Sequence, residues 1–339
     1  MALEDVNYIN NFPLTFSLQD EFMLGIDEID VIGVKDIAIY DSIMILATRD
    51  KNAFWSFVSL PEHNVLGSFL HGGSGPLEFT QAPKADISGN LYEENGSLFA
   101  YIYDFDTGRL VKMDISSSIE KGKLHAHEMK PSLPRALFDL AIIDSTKFVY
   151  KIPSDDRTQQ IRYMNDRKSG TIFLFMDKLN AASIKEGEDL NILSTATKLN
   201  LKNNKIVEMP IGLNYINLYS LYGSWGKTIC IGEELDNIEK IQYKNKWERM
   251  YTFSDIRIFP DFFGVIYINE REDDYEMKRT HYPSILLFDW EGNALVEIKL
   301  NRYATSFDFD LVNGSLYAFD VESDDFFYYN VADILGKIK

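Results

Sequence analysis

The residues best equipped for chemistry in this chain are a glycine-rich loop, a histidine pair, an acidic turn and a set of arginines. His71-Gly72-Gly73-Ser74-Gly75 has the bare backbone that an oxyanion-binding loop needs. Its required companion, a Gly-x-Ser-x-Gly nucleophile elbow, occurs nowhere in the sequence. A tight connection between sheets also uses glycine for positive backbone angles and Pro76 for a fixed one, and that structural reading is preferred. His125 and His127 alternate on a predicted strand, so their imidazoles share a face and suit a metal, yet no third ligand stands at a completing spacing. Asp104-Phe-Asp-Thr-Gly108 opens like a calcium loop, but Ile115 occupies the twelfth position where a carboxylate belongs, so it reads as an acidic hairpin turn. Cys230 is the sole cysteine, which excludes an internal disulfide and a Cys-rich metal site. No metal and no cofactor are expected.

The elements that position these residues are best seen at Ser284 to Leu300. Glu291-Gly292-Asn293 is a turn between an apolar run, Ile285 to Phe288, and a segment in which Val296, Ile298 and Leu300 alternate with Glu297 and Lys299. The same block laid on the chain matches Phe288-Asp289 with Tyr103-Asp104 and Leu295-Val296 with Leu110-Val111. A looser copy sets Tyr219, Gly223, Ile229 and Ile231 against Phe288, Gly292, Ile298 and Leu300. Turns near Glu62, Thr107, Lys168, Gly223 and Gly292 stand roughly 45 to 69 residues apart, the size of a four-stranded propeller blade with insertions.

Five blades are accounted for in this way. Beyond Leu300, Thr305 to Phe309, Gly314 to Asp320 and Phe326 to Val331 supply three strands of a sixth. The unpartnered N-terminal strand Leu14 to Leu18 is expected to pair with Phe326 to Val331 and complete that blade, which also removes an open sheet edge. The sequence thus predicts an all-β, six-bladed β-propeller of four-stranded blades, one domain over 1–339 with its core at about 12–335 and its termini meeting in the last blade. Two stretches fall outside the pattern. Asp177 to Asp189 reads as a short helix or an insertion, and the charged Arg271 to Arg279 reads as a solvated loop within the fifth blade.

A propeller brings the links between successive blades to one face. Those links carry His71 with Glu78, then Arg135, then Arg249 with Tyr251, then Arg302 with Tyr303. Converging arginines beside aromatics would bind an anion or a sugar acid, whereas arginines each paired with a blade carboxylate would not. Carboxylate pairs for glycoside hydrolysis have too many candidates, among 52 acidic residues, for the sequence to choose one.

The 52 acidic residues against 34 basic ones leave a net charge of −18, a field that repels phosphate backbones and anionic lipid, so nucleic acid is excluded as a partner class. No apolar window is long enough to span a bilayer, and the N-terminus lacks a signal-peptide pattern. Aromatic residues at 14% favour pleated sheets over helices.

Gly73-Ser-Gly-Pro-Leu-Glu-Phe79 resembles a Gly-x-Gly-Pro-x-Glu-Phe loop of the TolB-like, six-bladed propeller-like proteins of Bacteroidetes. Leu201-Lys-Asn-Asn-Lys-Ile-Val207, followed by Ile216-Asn-Leu-Tyr219, is similar to a second stretch of that family. The resemblance implies a six-bladed propeller in an exported, often lipid-anchored, cell-envelope setting, and its motifs carry no known chemistry. The function expected is a non-enzymatic extracytoplasmic binding or scaffold module, a monomer that offers one face to a protein or to an anionic or saccharide ligand. The alternative is a propeller enzyme, a hydrolase or lyase acting on glycans. Deep carboxylates lining a channel would favour the enzyme, and a flat polar face the binder.

Overall fold

The structure, a computed structural model, describes residues 1–19, 21–23, 33–85, 89–130, 133–134, 137–166, 171–174, 176–222 and 225–338. The N-terminal segment supplies three short strands, β1 (Val6–Ile9), β2 (Leu14–Ser17) and β3 (Phe22–Met23). Two four-stranded sheets follow: β4 (Val34–Tyr40), β5 (Ile43–Thr48), β6 (Trp55–Ser59) and β7 (Val65–Phe69), then β8 (Gly89–Glu94), β9 (Ser97–Asp104), β10 (Arg109–Asp114) and β11 (Ala126–Met129). The third holds β12 (Asp139–Ile142), β13 (Lys147–Pro153), β14 (Gln160–Asp166) and β15 (Thr171–Leu174). The fourth holds β16 (Thr195–Asn200), β17 (Lys205–Pro210), β18 (Tyr215–Ser220) and β19 (Gly226–Ile231). The fifth holds β20 (Met250–Ile258), β21 (Phe262–Arg271), β22 (Ser284–Asp289) and β23 (Ala294–Lys299), and the sixth β24 (Ser306–Asp310), β25 (Ser315–Asp320) and β26 (Asp325–Asn330). Within each sheet successive strands are antiparallel neighbours. The fold is all-β, a six-bladed β-propeller.

The chain divides into two compact units of three blades. One comprises Met1–Gln19 with Ala136–Tyr303 and contains the third to fifth blades; the other comprises Asp20–Arg135 with Ala304–Lys339 and contains the sixth, first and second. Second strands such as Ile43–Thr48 and Lys205–Pro210 are covered on both faces, which is why they read as near-continuous apolar runs rather than as alternation. In the first unit, Val207, Ile216 and Ile229 of the fourth blade pack on Phe253, Val265 and Phe288 of the fifth. In the second, Ile45, Trp55 and Phe57 of the first blade pack on Ala100, Ile102 and Val111 of the second.

Hairpin turns are built by side chains that accept backbone N–H groups. Asp104 accepts from Asp106 N and Thr107 N, Asp289 from Glu291 N and Asn293 N, and Asp310 from Val312 N and Asn313 N, each at 2.8 to 3.3 Å. Asp104-Phe-Asp-Thr-Gly108 is therefore the acidic hairpin turn expected, with Gly108 at φ 70°. The turns at Pro61 to Asn64 and Gly292 also fall where expected, while those at Lys168 to Gly170 and Gly223 lie outside the described residues.

The sixth blade is completed from the N-terminus, but by a different strand from the one expected. Met23 and Phe22 of β3 pair antiparallel with Phe327 and Tyr328 of β26. Leu14 to Ser17 instead runs parallel to β23, with Leu14 beside Val296 and Phe16 beside Ile298, and Leu18 N donates to Lys299 O at 2.9 Å. β1 likewise runs parallel to β19. The fourth and fifth blades thus have five strands each, because the N-terminal segment pairs with their outer edges before it reaches the sixth. Asp177 to Asp189 contains the one-turn helix α2 (Asp177–Asn180), and Arg271 to Arg279 contains a helix, Glu272–Met277, that buries Tyr275 rather than forming a fully solvated loop.

Gly314, in the turn between β24... and β25 at φ 72°, would place a Cβ 2.7 Å from that of Ala332. Gly314→Ala meets both a backbone strain and a fixed neighbour, and is expected to cost about 1–3 kcal/mol in chemical denaturation.

Candidate functional site

The glycine-rich loop is organised by Glu78. Gly75 N donates to Glu78 Oε2 at 2.7 Å, Gly73 N to Phe79 O at 3.0 Å and Phe79 N to His71 O at 2.9 Å. A Cβ on Gly73 would fall 2.0 Å from Glu78 Oε2, so the glycine makes room for the carboxylate that closes the turn. Leu77 takes φ 64°, a left-handed angle more usual for glycine. Arg109 donates to the carbonyls of Gly75 and Glu78 and pairs with Asp104 at 3.0 Å. The loop's N–H groups named here serve the loop itself, and His71 is exposed at its edge.

Of the other crossover residues, Arg249 pairs with Asp189 at 2.6 Å and donates to Lys244 O at 3.2 Å. That is the carboxylate-paired arrangement rather than an open anion cradle. Tyr251 packs its ring 4.7 Å from Tyr275, and burial pushes its phenol up, Tyr275 and Glu272 adding to the effect. Tyr303 donates to Arg279 O and lies beneath the Arg279 guanidinium, 5.0 Å from its ring centre. Arg302 is half-buried next to it in the chain. Tyr251 and Tyr303 therefore belong to one stacked array through Tyr275 and Arg279, whereas Arg135 lies outside the described residues and His71 and Glu78 belong to the other unit.

A deeper set of charged residues was not singled out in the sequence. Buried aspartates stand on the first strands of four blades: Asp36, Asp139, Asp255 and Asp308. Each begins an Asp-apolar-x-apolar run: Asp36-Ile-Ala-Ile, Asp139-Leu-Ala-Ile, Asp255-Ile-Arg-Ile and Asp308-Phe-Asp-Leu. That recurrence was the available signal, and it is obscured because each aspartate sits inside an apolar strand. Each carboxylate is bound by the chain. Asp139 meets Lys151 at 3.1 Å, Asp255 meets Arg257 at 3.1 Å, Asp36 accepts from Ser306 Oγ at 3.2 Å, and Asp308 accepts from Ile39 N at 2.7 Å.

Behind Asp139 lies a buried ion network. Arg162 holds Glu208 bidentately, Nε to Oε1 at 2.8 Å and Nη2 to Oε2 at 2.7 Å. Tyr219 Oη donates to Glu208 Oε1 at 2.7 Å, Lys151 approaches the same oxygen at 3.4 Å, and Asn180 Oδ1 accepts from Arg162 N at 2.9 Å. Burial pushes the Glu208 carboxyl up, but Arg162 and Lys151 outweigh it and hold it down at about 2.

His127 lies on β11 and His125 just before it, its N–H donating to Ser118 Oγ at 2.9 Å. Among the described residues no group of three or more His, Cys, Asp or Glu is arranged to hold a metal ion, and Cys230 is a buried free thiol.

No protein-family model and no curated protein matches the chain. Its fold is similar to that of Raptor from Chaetomium thermophilum, at 11% identity and a TM-score of 0.50 over 88% of this chain. The match spans only 28% of the Raptor chain. A DUF4221-family protein from Bacteroides vulgatus is similar over 92% of this chain and 98% of its own, at 9% identity and a TM-score of 0.52. An auxiliary nutrient-binding protein from Bacteroides ovatus is similar over 88% of this chain and 69% of its own, at 10% identity and a TM-score of 0.47. At such identities these likenesses concern the fold alone.

Glu208→Gln is expected to leave Arg162 buried without its counter-charge, Lys151 keeping only Asp139, and to cost about 3–5 kcal/mol. Because the folded carboxyl titrates below its ordinary value of 4.5, the wild type's advantage is full above that value and is lost as pH falls through about 2. Denaturant melts of both proteins between neutral pH and pH 2 should converge; a constant gap would refute the assignment.

Proposed function

We propose that the protein is a non-enzymatic binding or scaffold module that presents loops of its propeller to a ligand or a protein partner. The observation that carries this reading is the occupation of the deep carboxylates. Asp36, Asp139, Asp255 and Asp308 each bond a cation, hydroxyl or N–H of the chain, so they work as internal staples rather than as a free acid and base. The β19-to-β20 and β21-to-β22 connections instead put Tyr243, Trp247, Met277 and Tyr282 into solvent, residue types that dominate binding surfaces. They are joined by Lys246 Nζ to Glu272 Oε1 at 3.4 Å and by Glu272 N donating to Arg249 O at 2.9 Å. The TolB-like resemblance of the Gly73 to Phe79 loop extends the proposal to an extracytoplasmic setting, and the proposal takes the chain as a single domain acting as a monomer. No helix among the described residues is long and apolar enough to cross a membrane.

A thermal-shift screen of saccharides, organic anions and peptides, with product analysis on every hit, tests this. Stabilisation without consumption of the ligand is expected. Turnover of a glycan that disappears in Asp308→Asn, with the fold retained, would overturn the reading.

A further inference from the structure

The connection from β21 to β22 is an arm, residues 271–283, carrying α4 (Glu272–Met277; α1 is Ile115–Lys121, α2 as above, α3 Ile238–Ile241). Two non-glycine residues in the left-handed region bound its helix, Asn269 at φ 53° just before the arm and Arg279 at φ 49° within it. Such angles cost energy and persist where surrounding contacts enforce them. Beneath the arm lies Glu270, 4% exposed. Its Oε1 accepts from Thr280 N at 3.0 Å and from Thr280 Oγ1, and faces His281 Nδ1 at 3.1 Å. Its Oε2 is buried with no hydrogen-bond partner among the described residues. A buried carboxylate oxygen without a donor is costly, so the closed arm stands over an unmet bonding demand.

Tyr251 stands opposite Glu270 in the β20–β21 register and leads into a chain of aromatic contacts. Tyr251 stacks on Tyr275, the Arg279 guanidinium lies 5.3 Å from the Tyr275 ring and 5.0 Å from that of Tyr303, and Tyr282 meets Tyr303 edge-on at 4.8 Å. Tyr282 is 51% and Met277 81% exposed. The internal pairs Arg271 to Asp273 and Lys278 to Asp274 keep the arm's shape.

We infer that this arm is a lid over a binding site for a neutral polyhydroxylated ligand, a saccharide, with Glu270 as its floor and Tyr282 as its stacking surface. Opening the arm gives Glu270 Oε2 access to a ligand hydroxyl, which supplies the missing donor, while a ring face lies on tyrosine. Glu270 opposes an anion, and the arm's Arg271 and Lys278 are already engaged by Asp273 and Asp274. A neutral ligand with hydroxyl donors and an apolar ring face fits a carboxylate acceptor and an exposed tyrosine.

The inference rests on the binding-module reading, and the experiment separates the two. Neutral oligosaccharides of gluco, galacto and xylo type, and the corresponding sugar acids, are titrated against the intact chain by calorimetry, with amide exchange followed over residues 269–283. A neutral saccharide is expected to bind, to slow exchange in the arm, and to bind about tenfold more weakly to Tyr282→Ala. Glu270→Gln should weaken binding further while melting close to the wild type. Equal affinity in Tyr282→Ala, preference for the sugar acids, or no binding of any neutral saccharide overturns the saccharide site. If peptides or other anions still stabilise the chain, the binding-module reading survives that result; catalytic turnover removes the reading itself.

Discussion

The bidentate contact between Arg162 and Glu208 is the constraint on which the third and fourth blades depend. Both side chains are removed from water, where an isolated charge is prohibitively costly, so the pair is tolerated only because its bonding capacity is filled. Glu208 receives Arg162, Lys151 and the Tyr219 hydroxyl, and Lys151 also bonds Asp139 and Thr195. Two cations and two carboxylates therefore balance inside the apolar interior. The members come from β12, β13, β14, β16, β17 and β18, so a shift of either blade would break several charge-assisted bonds together. Dispersion between apolar faces would tolerate a small slip, whereas this geometry does not. The ion network thus specifies register where the packing of Ile206, Val149 and Leu199 supplies cohesion.

The acidity that the composition reports has a structural destination. Asp104, Asp144, Asp289, Asp310 and Asp320 all spend carboxylate oxygens on N–H groups of their own hairpin turns. Such turns recur in every repeat architecture of short antiparallel strands, and aspartate is suited to them because its short side chain reaches the backbone two or three residues ahead. A propeller that uses aspartate for many of its turns becomes acidic without any ligand requiring it. The aspartates of these turns contribute to the net charge of −18, a field that opposes polyanions.

This explains what could be read from the sequence and what could not. The hairpin periodicity was legible because turns with aspartate and glycine between alternating strands are local signals, and Asp289 to Asn293 and Asp104 to Gly108 form as read. The destination of Leu14 to Ser17 was not legible. Leu14 and Phe16 match the edge of β23 as well as that of β26 in apolar alternation, and only the chain path fixes which is reached. The arm's burial of Tyr275 was masked by its charged neighbours, which pair mostly within the arm. The inner aspartates were hidden for the opposite reason, being single acids inside apolar runs whose partners, such as Ser306 for Asp36, are far away in sequence.

The two kinds of polar residue follow one principle with opposite outcomes. On the first strands of four blades an aspartate recurs in the same local pattern, and each instance meets a donor from its own or an adjacent strand. Repetition of that kind belongs to the scaffold, because a repeat poses the same local problem in successive blades and the four that carry the aspartate answer it alike. Glu270 sits at an irregular register where β20 and β21 shift past each other, and has an oxygen with no hydrogen-bond partner among the described residues. A connection that interrupts the regular register, holds left-handed angles on either side of its helix and exposes aromatic surface is where this scaffold departs from uniformity, and bulges and irregular connections of that kind re-aim side chains that a regular ladder would bury.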